Sequence, residues 1–208
     1  NDKNFGQIIN LLNKKINNLN MNYIEELEVV AQTGEVSTKG RIKPRPYDIE
    51  KAKKIFKEIG KRGEELINSY LKILESQNQI SGFKWMNEEE ESGMPYDFEI
   101  TDINNKLFYT DVKSTSYKFE QRMIFSGQEL KFINQNENFL IHRVFNMQET
   151  PKLKICNNIN ILSNEFIPNM DTLDINIAKI GLKVNSIKIE VPSILQILNF
   201  ENEISLIE

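Results

Sequence analysis

Asp97, Asp111 and Lys113 are the residues whose types and spacing could do chemistry. Asp97 follows Pro95-Tyr96, and the other two form an Asp-x-Lys triplet in the apolar run Leu107–Ser114. Alternate residues of a strand share one face. Asp111 and Lys113 therefore point the same way, and Val112 points into the core with its carbonyl left available. Charged side chains on an apolar strand have to face water, a partner or a metal. Two carboxylates and one carbonyl form half an oxygen shell for Mg2+, which waters and a phosphate oxygen complete. A neighbouring ammonium can orient an attacking water and offset developing charge. That combination is equipment for hydrolysing a phosphodiester. An isolated Asp-x-Lys is usually a pair of exposed strand residues; Pro95-x-Asp97 at hairpin distance is what gives the triplet weight.

Asn104-Asn105 suits a tight turn between strands Tyr96–Asp102 and Leu107–Ser114. Asp97 lies five positions before Asp102, and Asp111 five after Lys106, so a hairpin there brings the two carboxylates level. Glu64 is a third carboxylate. Asp48 is a good N-cap, and Ala52, Ile55, Phe56 and Ile59 form a helical stripe that Gly60 and Gly63 interrupt and Leu66, Ile67, Tyr70, Leu71 and Leu74 resume. A glycine beside Glu64 lets that helix approach the sheet closely. The competing reading makes Glu64 and Glu65 ordinary solvated helix residues.

Around these pieces the chain reads as helices at Phe5–Val30, a linker from Gln32 to Tyr47, and a first strand at Phe83–Asn87. A short strand at Met123–Phe125 leads into a capping box, Ser126-x-x-Glu129, and a helix to about Gln135. Phe139–Met147 is another strand. After Pro151 the pattern weakens, with strands expected in Ile180–Val191 and a short closing helix from Pro192 to Phe200. The fold class is α/β (α+β), a mixed central sheet flanked by helices, with an N-terminal helical extension. The expected parts are 1–47, a helical extension and linker; 48–150, the core; and 151–208, strands and a short helix completing or extending it.

The net charge is −4, which argues against a general nucleic-acid coat. Between Arg41 and Arg62, however, nine Lys/Arg face three Asp/Glu, a local excess of +6 that leaves −10 for the rest. That segment could meet a phosphate backbone; the alternative is a solvated helix face. One Cys and one His exclude an internal disulfide and a Cys/His zinc site within one chain. No apolar run is long enough for a membrane span, and no cleavage-type leader is seen, so a cytoplasmic setting is expected. The start at Asn1 reads as a fragment of something longer. His142 reads as structural, Cys156 as inert for want of a base partner, and Trp85, Tyr96 and Phe98 as core. Ser126 and Glu129 read as a helix cap.

Gly60-x-x-Gly63-Glu64-Glu65-Leu66, Pro95-Tyr96-Asp97-Phe98-Glu99-Ile100 and Tyr109-Thr110-Asp111-Val112-Lys113-Ser114-Thr115 together resemble the NO VEIN carboxy-terminal domain family of the PD-(D/E)xK nuclease superfamily. Phe125-Ser126-x-x-Glu129-Leu130 and Ile141-His142-Arg143-Val144 resemble it too, so the likeness runs from about Ile59 to Met147. It implies a restriction-endonuclease-like sheet, with Asp97, Asp111 and Lys113 as catalytic core and Glu64 in support. It further implies Mg2+ or Mn2+ held by Asp97, Asp111, Glu64 and the Val112 carbonyl. Lys61, Arg62, Ser114, Gln128 and Arg143 are the candidate nucleic-acid contacts. DNA is the expected substrate, with RNA left open. Attached helicase or ATPase modules of restriction and phage-defence systems are the expected company, and pairing into a homodimer would suit cutting of both strands. One departure stands out: Asp111 occupies a position where this family usually carries Glu.

Overall fold

Helix α1, Ile49–Ser76, runs unbroken through both glycines that the sequence pattern marks as interruptions. Each glycine costs a helix interior about 1 kcal/mol relative to alanine. The burial of Leu66, Ile67 and Leu71 offsets that cost. The helix ends in a Schellman arrangement: Asn78 takes a positive φ of 55°, Gln79 N–H donates to the Leu74 carbonyl and Asn78 N–H to the Glu75 carbonyl. The computed structural model describes residues 49–89, 92–178 and 186–206. The predicted helices at Phe5–Val30, the linker to Tyr47 and the Asp48 cap lie outside them. The chain packs as two units, Asn1–Lys61 and Arg62–Glu208. All the described strands belong to the second unit.

Strands β1 (Ile80–Trp85), β2 (Phe98–Asp102), β3 (Leu107–Ser114), β5 (Phe139–Phe145), β6 (Lys152–Cys156) and β8 (Ile204–Ser205) form one six-stranded sheet in the order β1-β2-β3-β5-β6-β8. β3 and β5 are parallel, and the other neighbours are antiparallel. A parallel pair needs a crossover. Here it is β4 (Met123–Ser126) followed by helix α2 (Gly127–Gln135). β4 pairs with β7 (Ser186–Ile189) in a separate two-stranded ribbon. Helix α3 spans Asn160–Ala178, and α4 is a single turn, Val191–Ile194, where a longer closing helix was expected.

The mixed α/β architecture agrees with the sequence expectation, and the β2–β3 hairpin lies where predicted. Asp102 Oδ1 accepts from the N–H groups of Asn104 and Lys106, and Asn105 takes a positive φ of 62°. That is a three-residue connection with an αL residue at its end. The elements unread in the sequence are β6, α3 and β8. β6 and β8 complete the central sheet, so part of 151–208 is central-sheet structure. The core beneath α2 includes Phe125, Leu130, Ile133, Phe139, Ile141, Val191 and Leu198.

Gly63 explains why α1 tolerates a glycine. A Cβ there would run into the Ser114 side chain, 2.8 Å from its Cβ, and would lie 3.6 Å from Val112 Cγ1. The helix backbone thus rests directly on β3. Gly63→Ala should destabilise the fold by about 1–3 kcal/mol through overpacking. Urea unfolding of Gly63→Ala alone and with Ser114→Gly checks this: the second change should recover part of the loss, and additive losses would refute the close-approach account.

Candidate active site

The β2–β3 register pairs Phe98 with Thr110, which brings Asp97 level with Asp111. At that level the ladder changes character. Val112 N–H donates to Asp97 Oδ2 at 2.7 Å, where a regular ladder would offer a backbone carbonyl. Asp97 Oδ1 accepts from Asn87 Nδ2 at 2.8 Å. Asn87 is in turn fixed by Ser92, whose N–H and Oγ both donate to Asn87 Oδ1. One aspartate is therefore held by the strand beside it and by the loop after β1.

Asp111 and Lys113 share the β3 face opposite α1. Asp111 is 5% exposed. Lys113 Nζ lies 2.6 Å from Asp111 Oδ2, in ion contact rather than an aligned hydrogen bond. It also donates to Glu129 Oε1 at 3.1 Å and sits 4.7 Å from the centre of the Phe125 ring. Below the site on the same face, Tyr109 packs against Tyr96 and Phe132, with ring centres 4.8 and 5.0 Å away. Tyr96 and Phe98 are buried in the core as read, while Trp85, stacked on Phe98, is only half-buried.

The electrostatics follow from burial. Burial and the nearby Glu64 charge push Asp97 up to about 6, against the Val112 N–H and Lys113, which lower it. Burial pushes Asp111 up to about 7, with Lys113 opposing and Asp97 adding to the rise. The two carboxyls are close enough to share a hydrogen bond when one is protonated. Burial works against the Lys113 charge, but Asp111 and Glu129 outweigh it and hold the ammonium protonated more firmly than usual. Lys113 is a charged donor here, not a base.

Glu64 reaches this neighbourhood from α1, where its Oε2 accepts from the Trp85 indole N–H at 2.9 Å. Its charge is felt by Asp97. Among the described residues, however, no three carboxylates, imidazoles or thiolates are gathered into one ligand set. The expected Asp97–Asp111–Glu64 trio is therefore a close pair with a third carboxylate held aside by the indole. The pair still suits a hard cation. Mg2+ takes one or two carboxylates and keeps several waters, and two carboxyls raised by burial and by neighbouring negative charge, from Glu64 on Asp97 and from Asp97 on Asp111, are what a cation would relieve.

The structure assigns different duties to several candidate contacts. Arg143 is 1% exposed and donates through Nη1 to the Lys113 carbonyl at 3.2 Å and through Nη2 to the Gln121 carbonyl at 2.7 Å. It is therefore a buried brace for the end of β3, withdrawn from any phosphate outside, because five donors suit it to bundling carbonyls. Ser114 Oγ is buried against α1 at Gly63, since even-numbered β3 residues face the helix. Val112 faces α1 as well. Gln128 is exposed at the start of α2, Arg62 is exposed, and Lys61 is half-buried. His142 is buried and bonds Thr110 Oγ1 through Nδ1; burial lowers it to about 4, so it is a neutral structural residue. Cys156 is buried.

Sequence reasoning missed Trp85 as the holder of Glu64, Asn87 as the holder of Asp97, and the second role of Glu129. Only Glu129 left a signal. Its capping box with Ser126 is formed as predicted: Ser126 N–H donates to Oε2 at 2.6 Å, and Glu129 N–H to Ser126 Oγ at 3.1 Å. The other carboxylate oxygen, aimed at Lys113, was not foreseen.

A family model described as "Protein NO VEIN, C-terminal" matches residues 63–156. A curated relative, "Protein NO VEIN-LIKE" of Arabidopsis thaliana, is 32% identical over 88 residues, which is 42% of this chain and 13% of that protein. The chain thus corresponds to a small part of the relative's length. No solved structure matches. No helix among the described residues is long and apolar enough to cross a membrane. The segment that carries Glu64, Asp97, Asp111, Lys113 and Glu129 is, on these comparisons, similar to the NO VEIN C-terminal domain.

Proposed function

We propose that this chain carries a metal-dependent endonuclease domain of PD-(D/E)xK type that hydrolyses DNA phosphodiester bonds. The observation that carries the reading is the pairing of half-buried Asp97, just before β2, with buried Asp111 on β3, with the Lys113 ammonium 2.6 Å from an Asp111 oxygen. Mg2+ or Mn2+ on Asp97 and Asp111 would supply Lewis-acid polarisation of the phosphate and acidify water. The remaining work falls to the chain. Asn87 and the Val112 N–H fix the angle of Asp97. Lys113 presents its donors to an attacking water or a phosphoryl oxygen and offsets the charge that accumulates there. Water adds to phosphorus as the bond to the 3′-oxygen breaks, leaving a 5′-phosphate and a 3′-hydroxyl. A larger restriction or anti-phage protein, with a helicase or ATPase module, is the proposed cytoplasmic setting.

A second reading, a catalytically silent module that binds nucleic acid or recruits a partner, draws on one observation. Both Asp97 oxygens and one Asp111 oxygen already have partners within the chain. Supercoiled plasmid incubated with Mg2+ and then Mn2+ separates the two. Nicking or linearisation that EDTA abolishes supports the nuclease; DNA retention without cutting in Mn2+ overturns it in favour of the silent module.

A further inference from the structure

We infer that Glu129 is a positioning residue for Lys113, acting from the first turn of α2; the inference rests on the nuclease reading. Its two oxygens do separate things. Oε2 accepts the Ser126 N–H and closes the capping box. Oε1 accepts from Lys113 Nζ at 3.1 Å. The box holds the carboxylate, so Oε1 is a fixed anion instead of a mobile one. The third wall around the ammonium is the Phe125 ring, from the strand that leads into the same helix.

The arrangement answers a conflict within the Asp-x-Lys triplet. An ammonium whose only anion were Asp111 would compete with any cation for that carboxylate. Glu129 gives Lys113 a second anchor on an element outside the sheet. The ammonium can then stay beside the metal-binding pair without depending on it. Burial makes the anchor consequential, because a buried charge stripped of one partner is costly.

Three variants test this against a purely structural cap. Glu129→Gln retains a residue suited to the third helical position of a capping box but removes the anion. Ser126→Ala removes the cap hydroxyl and leaves the anion. Glu129→Gln should lower kcat for plasmid nicking at least about tenfold, the scale of a lost preorganised contact, with KM changed less than about twofold. Ser126→Ala should lose stability but keep kcat within about twofold of wild type. A double-mutant cycle of Lys113→Met and Glu129→Gln in urea unfolding reads the contact without activity, and the two changes should be non-additive. Wild-type kcat in folded Glu129→Gln, equal loss in Ser126→Ala, or an additive cycle overturns the inference. A wild type that never cuts while the cycle stays coupled overturns the nuclease reading and leaves Glu129 as a structural partner of Lys113 only.

Discussion

Asp111→Ala and Lys113→Met should each abolish plasmid nicking, with a loss of at least about a thousandfold, while far-UV circular dichroism stays that of the wild type. The size reflects what each change removes. Removing one preorganised donor to a developing oxyanion costs about 10²–10³ in kcat, and Lys113 is asked to offset charge as well as to orient. Asp111 is one of the two carboxylates available to a cation, so its removal takes half the anionic donor set. Lys113→Arg should not rescue. The pocket between Asp111, Glu129 and the Phe125 ring fits a compact ammonium, and a planar guanidinium is larger and points its donors differently. Lys113→Met keeps most of the stem volume, so loss of the fold is not the expected cause of inactivity. Full cutting by either Asp111→Ala or Lys113→Met would remove these residues from the chemistry.

The parts of this arrangement that were legible in the sequence are the local ones. Hairpin counting from Asn104-Asn105 placed Asp97 level with Asp111, because antiparallel register is fixed by the turn. Strand alternation put Asp111 and Lys113 on one face, and the Ser126–Glu129 spacing announced a helix cap. What the sequence hid is non-local or masked by composition. Helix α3 carries Pro168 in its interior, a residue that normally ends a helix. β8 is a two-residue strand, too short for any alternation to stand out. Arg143 looks like a phosphate contact in one dimension and becomes a buried brace only because β5 lies parallel to β3 at the Lys113 level. Trp85 and Asn87 act on Glu64 and Asp97 across the β1–β2 pairing and the loop beyond it, relations no local spacing encodes.

Divalent cations should stabilise this domain at pH 8 and have little effect at pH 5. Asp97 and Asp111 are raised from 3.8 to about 6 and about 7. The folded state therefore keeps protons that the unfolded chain has already released. Their contribution to stability is fully present below about pH 3.8 and is lost as pH rises through 6 and 7. Above that range the cation-free fold carries two negative charges, on half-buried Asp97 and buried Asp111, with Lys113 between Asp111 and Glu129. A cation binds the deprotonated pair, so its stabilisation appears where the proton's disappears. At a concentration about a hundredfold above Kd the gain is about 2.7 kcal/mol, or roughly 5–10 °C in Tm for a domain of this size. His142 has the opposite slope: it is lowered to about 4, so its contribution is full above about 6.5 and is lost as pH falls through 4. The two trends overlap, so a bare Tm–pH curve cannot separate them. The difference between curves with and without Mn2+ can, because His142 is common to both. Asp111→Asn should flatten that difference at pH 8 by taking away one of the two charges the cation needs. A cation shift as large at pH 5 as at pH 8, or one that survives Asp111→Asn, would put the binding site elsewhere on the chain.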